Sequence, residues 1–349
     1  MAELIAQGVE PHQRWRRALP PGERFVLGRE AGVWAVPWDP HISRKHCALA
    51  WSNGRLSVER LSDAVNPIFT GGQEVDAFTL GPGEHFVIGT SSFTVVSETI
   101  NLAREAPRPH EEQNYSSEEL QRVRFRNADQ RIEVLCRLPD VISGAVNDTE
   151  LFIRLVNMLL AGVPRADAVA LIEVDESGHR PAPVNVLHWD RRLVTGSDFQ
   201  PSQRLILEAV RRKESVLHVW GAASDALASR FTVSANVDWA FCTPVLGEAC
   251  RGWGVYVAGK FSTDTTVGSN LSGSADLRED LKFTELVAST LSSLRQAKFM
   301  QHKQAALRNF FAPPVLDAIM AEDPDLVLAP RETEVSVLFC DLRGFSRET

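Results

Sequence analysis

Ser43-Arg44-Lys45-His46-Cys47-Ala48-Leu49-Ala50-Trp51-Ser52-Asn53-Gly54-Arg55-Leu56-Ser57-Val58-Glu59 is the stretch that decides how the first hundred residues fold. Ala48 to Trp51 and Leu56 to Glu59 are short apolar runs, and Asn53-Gly54 between them is a turn signal. The same beat repeats outward. Arg24 to Leu27, Phe78 to Leu80, His85 to Ile88 and Phe93 to Val96 are further runs, punctuated by Gly71-Gly72 and Gly81-Pro82-Gly83. Short strands at this spacing predict an all-β sandwich over residues 1–100, with loops gathered at its ends. Any function of such a domain belongs to those loops.

The loops carry Gly28-Arg29, then Ser43-Arg44-Lys45-His46, then Asn66. Guanidinium, hydroxyl and amide groups converging from three loops suit one phosphate, held by charge-assisted hydrogen bonds, and the planar fork of arginine is suited to bidentate contact. The set resembles the forkhead-associated domain, which binds phosphothreonine peptides. The resemblance implies that Arg29, Ser43 and Arg44 touch phosphate, that Asn66 bonds the peptide backbone, and that Gly28 and His46 shape the loops. Its partner would be a phosphothreonine-containing protein, the substrate of a Ser/Thr kinase. Val65 and Pro67 depart from the family pattern, which often has Ser or Thr before the asparagine and Gly after it. A domain kept only as a docking surface is the alternative.

Residues 101–138 read as linker and lead-in helix. Ala103 to Asn114 is rich in Pro and charge and predicts a mobile linker. Ser116 and Glu119 form a capping-box pattern that starts a helix, and Pro139 ends its apolar stripe of Ile132, Leu135, Cys136 and Leu138. Residues 139–275 predict an α+β domain with an antiparallel sheet. Asn147 caps a helix carrying Phe152, Leu155, Val156, Leu159 and Leu160, with Gly162 as its stop. Strands follow at Ala168 to Val174, Val184 to Trp189, Val216 to Trp220, Trp239 to Val245 and Gly254 to Ala258, with a helix at Ser202 to Arg212. Trp239 to Leu246 followed by Gly254 to Val257 is similar to the last strands of a GAF domain, a fold that extends here to about residue 295. The ligand of such a domain stays unknown. His179, His188 and His218 are isolated in sequence and read as core or surface residues, and the tryptophans Trp189, Trp220, Trp239 and Trp253 as core.

From Asp276 a long helix is expected, with Leu281, Val287, Leu291 and Leu294 near a seven-residue repeat. A parallel coiled coil and hence a homodimer would cover that stripe. Residues 276–330 would thus be a transmitting helix. In residues 331–349, Val335 to Phe339 reads as a strand with Asp341 behind it; by spacing alone Asp341 is foremost a turn former, and alternatively a carboxylate that holds a divalent cation such as Mg2+ while the following turn faces phosphate. Phe339-Cys340-Asp341-Leu342-Arg343-Gly344-Phe345-Ser346 resembles the first motif of class III nucleotidyl cyclases. That resemblance implies a metal role for Asp341 and a phosphate-facing loop at Gly344, Phe345 and Ser346, with a nucleoside triphosphate as substrate. One carboxylate cannot build a two-metal site, so this chain alone is expected to be inactive: the regulatory region of a cyclase whose α+β catalytic domain is truncated here. A phosphothreonine-dependent dimeric adaptor without cyclase activity is the second reading.

Composition sets the frame. The 349 residues suffice for two or three domains. A formal net charge of −8 argues against nucleic-acid partners, which need concentrated positive charge. The five cysteines are scattered, odd in number and lack CxxC spacing, and so read as buried thiols of a reducing cytoplasm. No apolar run approaches membrane-spanning length, and Arg14 to Arg17 figure only as a basic cluster without an apolar segment behind it. A cytoplasmic protein with no membrane partner is expected.

Overall fold

In the computed structural model, the described residues are 2–10, 12–97, 100–104, 108–125, 128–145, 147–175, 182–192, 199–220, 237–261, 273–308, 334 and 336–338. They fall into two compact units, Met1–Gln296 and Ala297–Thr349. Within the first, the chain builds two β-based modules.

The hairpin at the heart of the opening stretch forms as its chemistry requires. β4 (Cys47–Ser52) and β5 (Arg55–Arg60) pair antiparallel around Asn53 and Gly54. Both turn residues have positive φ, at 52° and 75°, which Asn and Gly tolerate best. β3 (Arg24–Leu27) and β8 (Ala77–Leu80) flank the hairpin in a four-stranded sheet of order β3-β4-β5-β8. A six-stranded sheet, β2-β1-β10-β9-β6-β7, packs against it. It contains β1 (Glu3–Gln7), β2 (Arg14–Ala18), β6 (Ile68–Thr70), β7 (Gln73–Glu74), β9 (His85–Ile88) and β10 (Ser91–Val96). Leu4, Trp15, Leu27, Leu49, Ile68, Phe86 and Phe93 fill the space between, and Phe86 and Phe93 stack with centroids 4.7 Å apart.

The second module is a six-stranded, wholly antiparallel sheet of order β11-β14-β15-β16-β12-β13. Its strands are β11 (Glu111–Tyr115), β12 (Ala168–Val174), β13 (Val184–Arg191), β14 (Ser215–Val219), β15 (Trp239–Pro244) and β16 (Trp253–Gly259). α4 (Asp148–Gly162), capped by the Asn147 side chain, packs on one face. α5 (Gln203–Arg212), capped by Ser202, packs on the other. All four tryptophans of this module are buried. The α+β architecture and its antiparallel sheet follow the expectation.

Three expectations are corrected. Glu111 to Asn114 belongs to the edge strand β11, paired with β14, and not to a mobile linker. A charged strand is compatible with an edge, where one face and one side meet water. The lead-in helix is also broken. α1 (Ser117–Arg122) has the complete Ser116–Glu119 capping box, α2 spans Ala128–Cys136, and Pro139 lies in the first turn of α3 (Leu138–Ser143). Proline is tolerated there because that N–H has no intrahelical partner. Cys136 is exposed, whereas Cys47, Cys242 and Cys250 are buried.

The third correction concerns α6 (Gly273–Arg308). Leu281, Val287 and Leu291 are buried in the module's own core beside α4, and Leu294 packs against it. Phe283 meets α4 so closely at Gly162 that a Cβ there would lie 2.1 Å from its ring. The apolar stripe is thus covered without a second helix. Arg295 pairs with Asp148 at 2.7 Å, and Arg131 bonds Asp280, which fixes this part of the helix further. Among the described residues, no helix is long and apolar enough to cross a membrane.

The two modules meet through β2. Its arginines, Arg14, Arg16 and Arg17, are buried. Arg14 holds Asp190 of β13 in a bidentate pair of 2.7 and 2.9 Å and donates to the Arg191 carbonyl at 2.9 Å. Arg16 lies 3.9 Å over the Trp189 ring, and Arg17 pairs with Glu150 of α4 at 2.7 Å. Burial alone would raise the Asp190 pKa, but Arg14 and Arg16 outweigh it and hold the carboxyl below its ordinary value. Ile153 of α4 completes the sandwich core.

Candidate functional site

At one end of the sandwich the loops after β3, before β4 and after β5 enclose a groove of roughly 700 Å³. Arg29, Ser43, Arg44 and Asn66 all line it, together with Glu30, His41, Lys45, Asp63 and Val65. The four residues come from two inter-strand connections, β3–β4 for Arg29, Ser43 and Arg44 and β5–β6 for Asn66, and are brought together in this groove.

Backbone bonds build the loop pair. Arg29 N–H donates to the Ser43 carbonyl at 2.9 Å, and Glu30 N–H to the Arg44 carbonyl at 3.2 Å. Gly28 makes this approach possible, since a Cβ there would sit 2.3 Å from the Arg44 carbonyl oxygen. His46 anchors the other side. Its backbone N–H donates to Leu27 O at 2.8 Å, and its Nδ1 accepts from Ser43 N–H at 3.1 Å. Burial and the charge of Arg60 hold the imidazole pKa below its ordinary value, against the opposing Asn66 backbone and Asp39. A neutral ring is the form whose Nδ1 can accept that bond. Gly28 and His46 thus both lie where the two ends of the β3–β4 connection meet.

The polar groups are set for an anion. Ser43 Oγ accepts from Val65 N–H at 3.1 Å, which leaves its own O–H to donate into the groove. Asn66 Nδ2 donates to His41 O at 2.7 Å, fixing the amide plane. Among the described residues, neither Arg29 nor Arg44 has a carboxylate partner. The guanidiniums are accordingly available for a ligand carrying the roughly −1.5 to −2 charge of a phosphoryl group.

Asp39 was not anticipated. It accepts from His41 N–H at 2.9 Å, Thr90 N–H at 2.8 Å and Ser91 Oγ at 2.8 Å, tying the groove loop to the turn between β9 and β10. Burial works against its ionisation, but these bonds leave its pKa below the ordinary value. Its signal in sequence is faint, because an aspartate between two prolines reads simply as loop. Val65 is 81% exposed at the groove rim, so the family departure noted there is an apolar side chain presented to whatever binds.

A second groove, of about 710 Å³, runs between residues 100–104 and β13 and is lined by Leu102, Arg104, Val184, Val186 and Gln203. Among the described residues Arg104 is the sole charged group in that lining, and they assemble no convergent chemistry there. The metal and phosphate-loop residues Asp341, Gly344, Phe345 and Ser346 lie outside the described residues.

No family model and no curated protein matches this chain. Among solved structures it is similar to FHA-1 of Rv1747 from Mycobacterium tuberculosis, with 20% identity over 28% of this chain and 98% of that one and a TM-score of 0.23. It is likewise similar to the FHA domain of CT664 from Chlamydia trachomatis, at 18% identity over 28% and 99% with a TM-score of 0.24. Mycobacterium tuberculosis EmbR, solved in complex with a low-affinity phosphopeptide, is a third, at 18% identity over 28% of this chain and 24% of that one with a TM-score of 0.23. At these values the likenesses carry no conclusion about a ligand, which rests on the groove itself.

Proposed function

We propose that the sandwich is a phosphothreonine-peptide receptor of the forkhead-associated type, held against an α+β module of the GAF type that it regulates or is regulated by. One observation carries the reading: Arg29, Ser43, Arg44 and Asn66 converge on one groove whose two arginines have no carboxylate partner among the described residues. In this reading a phosphoryl group supplies the missing charge and Asn66 orients the peptide backbone. Titration of phosphothreonine and matched unphosphorylated peptides against wild type and Arg29→Ala tests it. Loss of a charge-assisted hydrogen bond of about 1.5–3 kcal/mol predicts a ten- to hundredfold weaker complex. Equal affinity of the two proteins, or of the two peptides, would sink the proposal.

The finer reading is that this receptor belongs to the regulatory region of a class III cyclase that converts a nucleoside triphosphate with Mg2+ or Mn2+. It rests on the Asp341 to Ser346 motif alone. The check is cyclic-nucleotide formation from ATP or GTP by the protein as the cell makes it, with and without Asp341→Ala. Failure to form any, or equal formation by both, ends this part and leaves an adaptor. A homodimer is a separate part of the reading that the covered α6 stripe no longer supports; light scattering that returns a monomer at micromolar concentration would remove it.

A further inference from the structure

β11 carries a chemistry that its polar composition concealed. In its register with β14, Glu112 stands directly opposite His218, and α5, packed on the same face, delivers Glu208. One donor atom from each of these residues lies within 4.8 Å of the other two. His218 Nε2 is 3.5 Å from Glu112 Oε2 and 3.8 Å from Glu208 Oε2.

The imidazole supplies a second, independent indication. His218 is 1% exposed and its Nε2 has no hydrogen-bond partner. A buried polar atom left unbonded is costly in a folded protein, yet a bare imidazole nitrogen facing carboxylate oxygens is what a metal ion requires. Trp220, in T-shaped contact with centroids 5.7 Å apart, steadies the ring. We propose that Glu112, Glu208 and His218 bind one divalent ion of the zinc type, with a fourth position open to water.

The spacing fits. Donor atoms of a tetrahedral zinc site with bonds of about 2.0–2.1 Å stand roughly 3.4 Å apart, so a small closing movement suffices. Burial lowers the His218 pKa to about 4, with Glu208 opposing and Arg204 assisting, and the neutral ring is the form that ligates. Arg212 takes Glu208 Oε1 at 2.8 Å, the oxygen turned away from His218. Arg204 takes Glu112 Oε2 at 2.9 Å and is the direct competitor. Its side chain is 42% exposed and free to swing outward. An ion would pin β11, the strand entered from the inter-module connection, to α5.

Titrating the full chain, stripped with chelator, with Zn2+ by calorimetry and with Co2+ by visible absorption tests the site. One ion per chain is expected, together with the intense Co2+ band of low coordination number. His218→Ala should weaken binding at least a hundredfold. Glu112→Gln, at an exposed edge position, should weaken it about tenfold while the metal-free melting temperature stays unchanged, so that misfolding does not explain the loss. Arg204→Ala separates the two readings: removal of a competing cation leaves Zn2+ binding as tight or tighter, whereas a purely structural ion-pair cluster has no such response. No binding, equal binding by wild type and His218→Ala or Glu112→Gln, or weaker binding by Arg204→Ala would overturn the proposal.

Discussion

Two sets of arginines, a dozen residues apart in sequence, serve opposite ends. Arg14, Arg16 and Arg17 are buried and neutralised, with Asp190, Glu3 and Glu150 as partners and Trp189 beneath Arg16. Arg29 and Arg44 line an open groove without a carboxylate partner among the described residues. The residue type is the same, and the surroundings decide its use. A desolvated guanidinium must be matched inside the protein, while one at a groove rim remains solvated until a ligand replaces the water. The first set therefore joins modules and the second receives a partner.

The comparison breaks first at Asp190. Asp190→Ala leaves Arg14 buried without its counter-charge, while Arg16 keeps Glu3, and urea unfolding should show a loss of roughly 3–5 kcal/mol. Arg29→Ala, in contrast, should leave stability within about 0.5 kcal/mol while it weakens phosphopeptide binding ten- to hundredfold. A stable Asp190→Ala protein would show that the clamp is ornamental.

Acid probes the same interface. His188 of β13 is influenced, after burial, by Asp190, Arg16 and Arg17, and its pKa falls to about 4 from 6.5. The unfolded chain takes up that proton first, so the stability contributed by neutral His188 is intact above about pH 6.5 and is lost as pH falls toward 4. The slope is at most about 1.4 kcal/mol per pH unit. Asp280, raised to about 6 by burial, acts in the opposite sense. The clean measurement is the difference between wild type and His188→Gln: the variant should lose less stability between pH 6.5 and 4. Parallel pH curves would contradict this.

Two smaller substitutions sharpen the groove side. Val65→Ser places a hydroxyl at the rim beside Ser43 Oγ. Adding one hydrogen bond of about 0.5–1.5 kcal/mol should tighten phosphopeptide binding two- to tenfold, read by fluorescence anisotropy. Arg24→Ala removes an exposed pair with Glu59, both side chains more than half exposed. It should cost no more than about 1 kcal/mol in thermal unfolding and leave peptide affinity unchanged. An effect of Arg24→Ala on binding would show that any arginine loss acts through net charge.

Local chemistry was legible where it dominates. Asn53-Gly54 forced the β4–β5 turn, Asn147 and Ser116 capped their helices, and period-two runs became strands within a residue or two of expectation. The groove residues were legible through their resemblance to a phosphopeptide-binding loop set, carried by Gly28-Arg29, Ser43-Arg44-Lys45-His46 and Asn66. β2 was not legible: Arg14-Trp15-Arg16-Arg17 looks solvated until Asp190 and Glu150, more than a hundred residues away, are known to face it. β11 was hidden likewise, because an edge strand needs no apolar alternation.

The sequence by itself determined the turns, the caps, the apolar faces of many strands and the loop residues of the groove, since each depends on neighbours a few positions apart. Tertiary structure alone decided that the α6 stripe faces its own module, that the basic cluster joins two modules, and that Glu112, Glu208 and His218 meet. Those outcomes depend on which distant surface supplies the matching charge or apolar area, and a linear pattern of residues does not contain that distance.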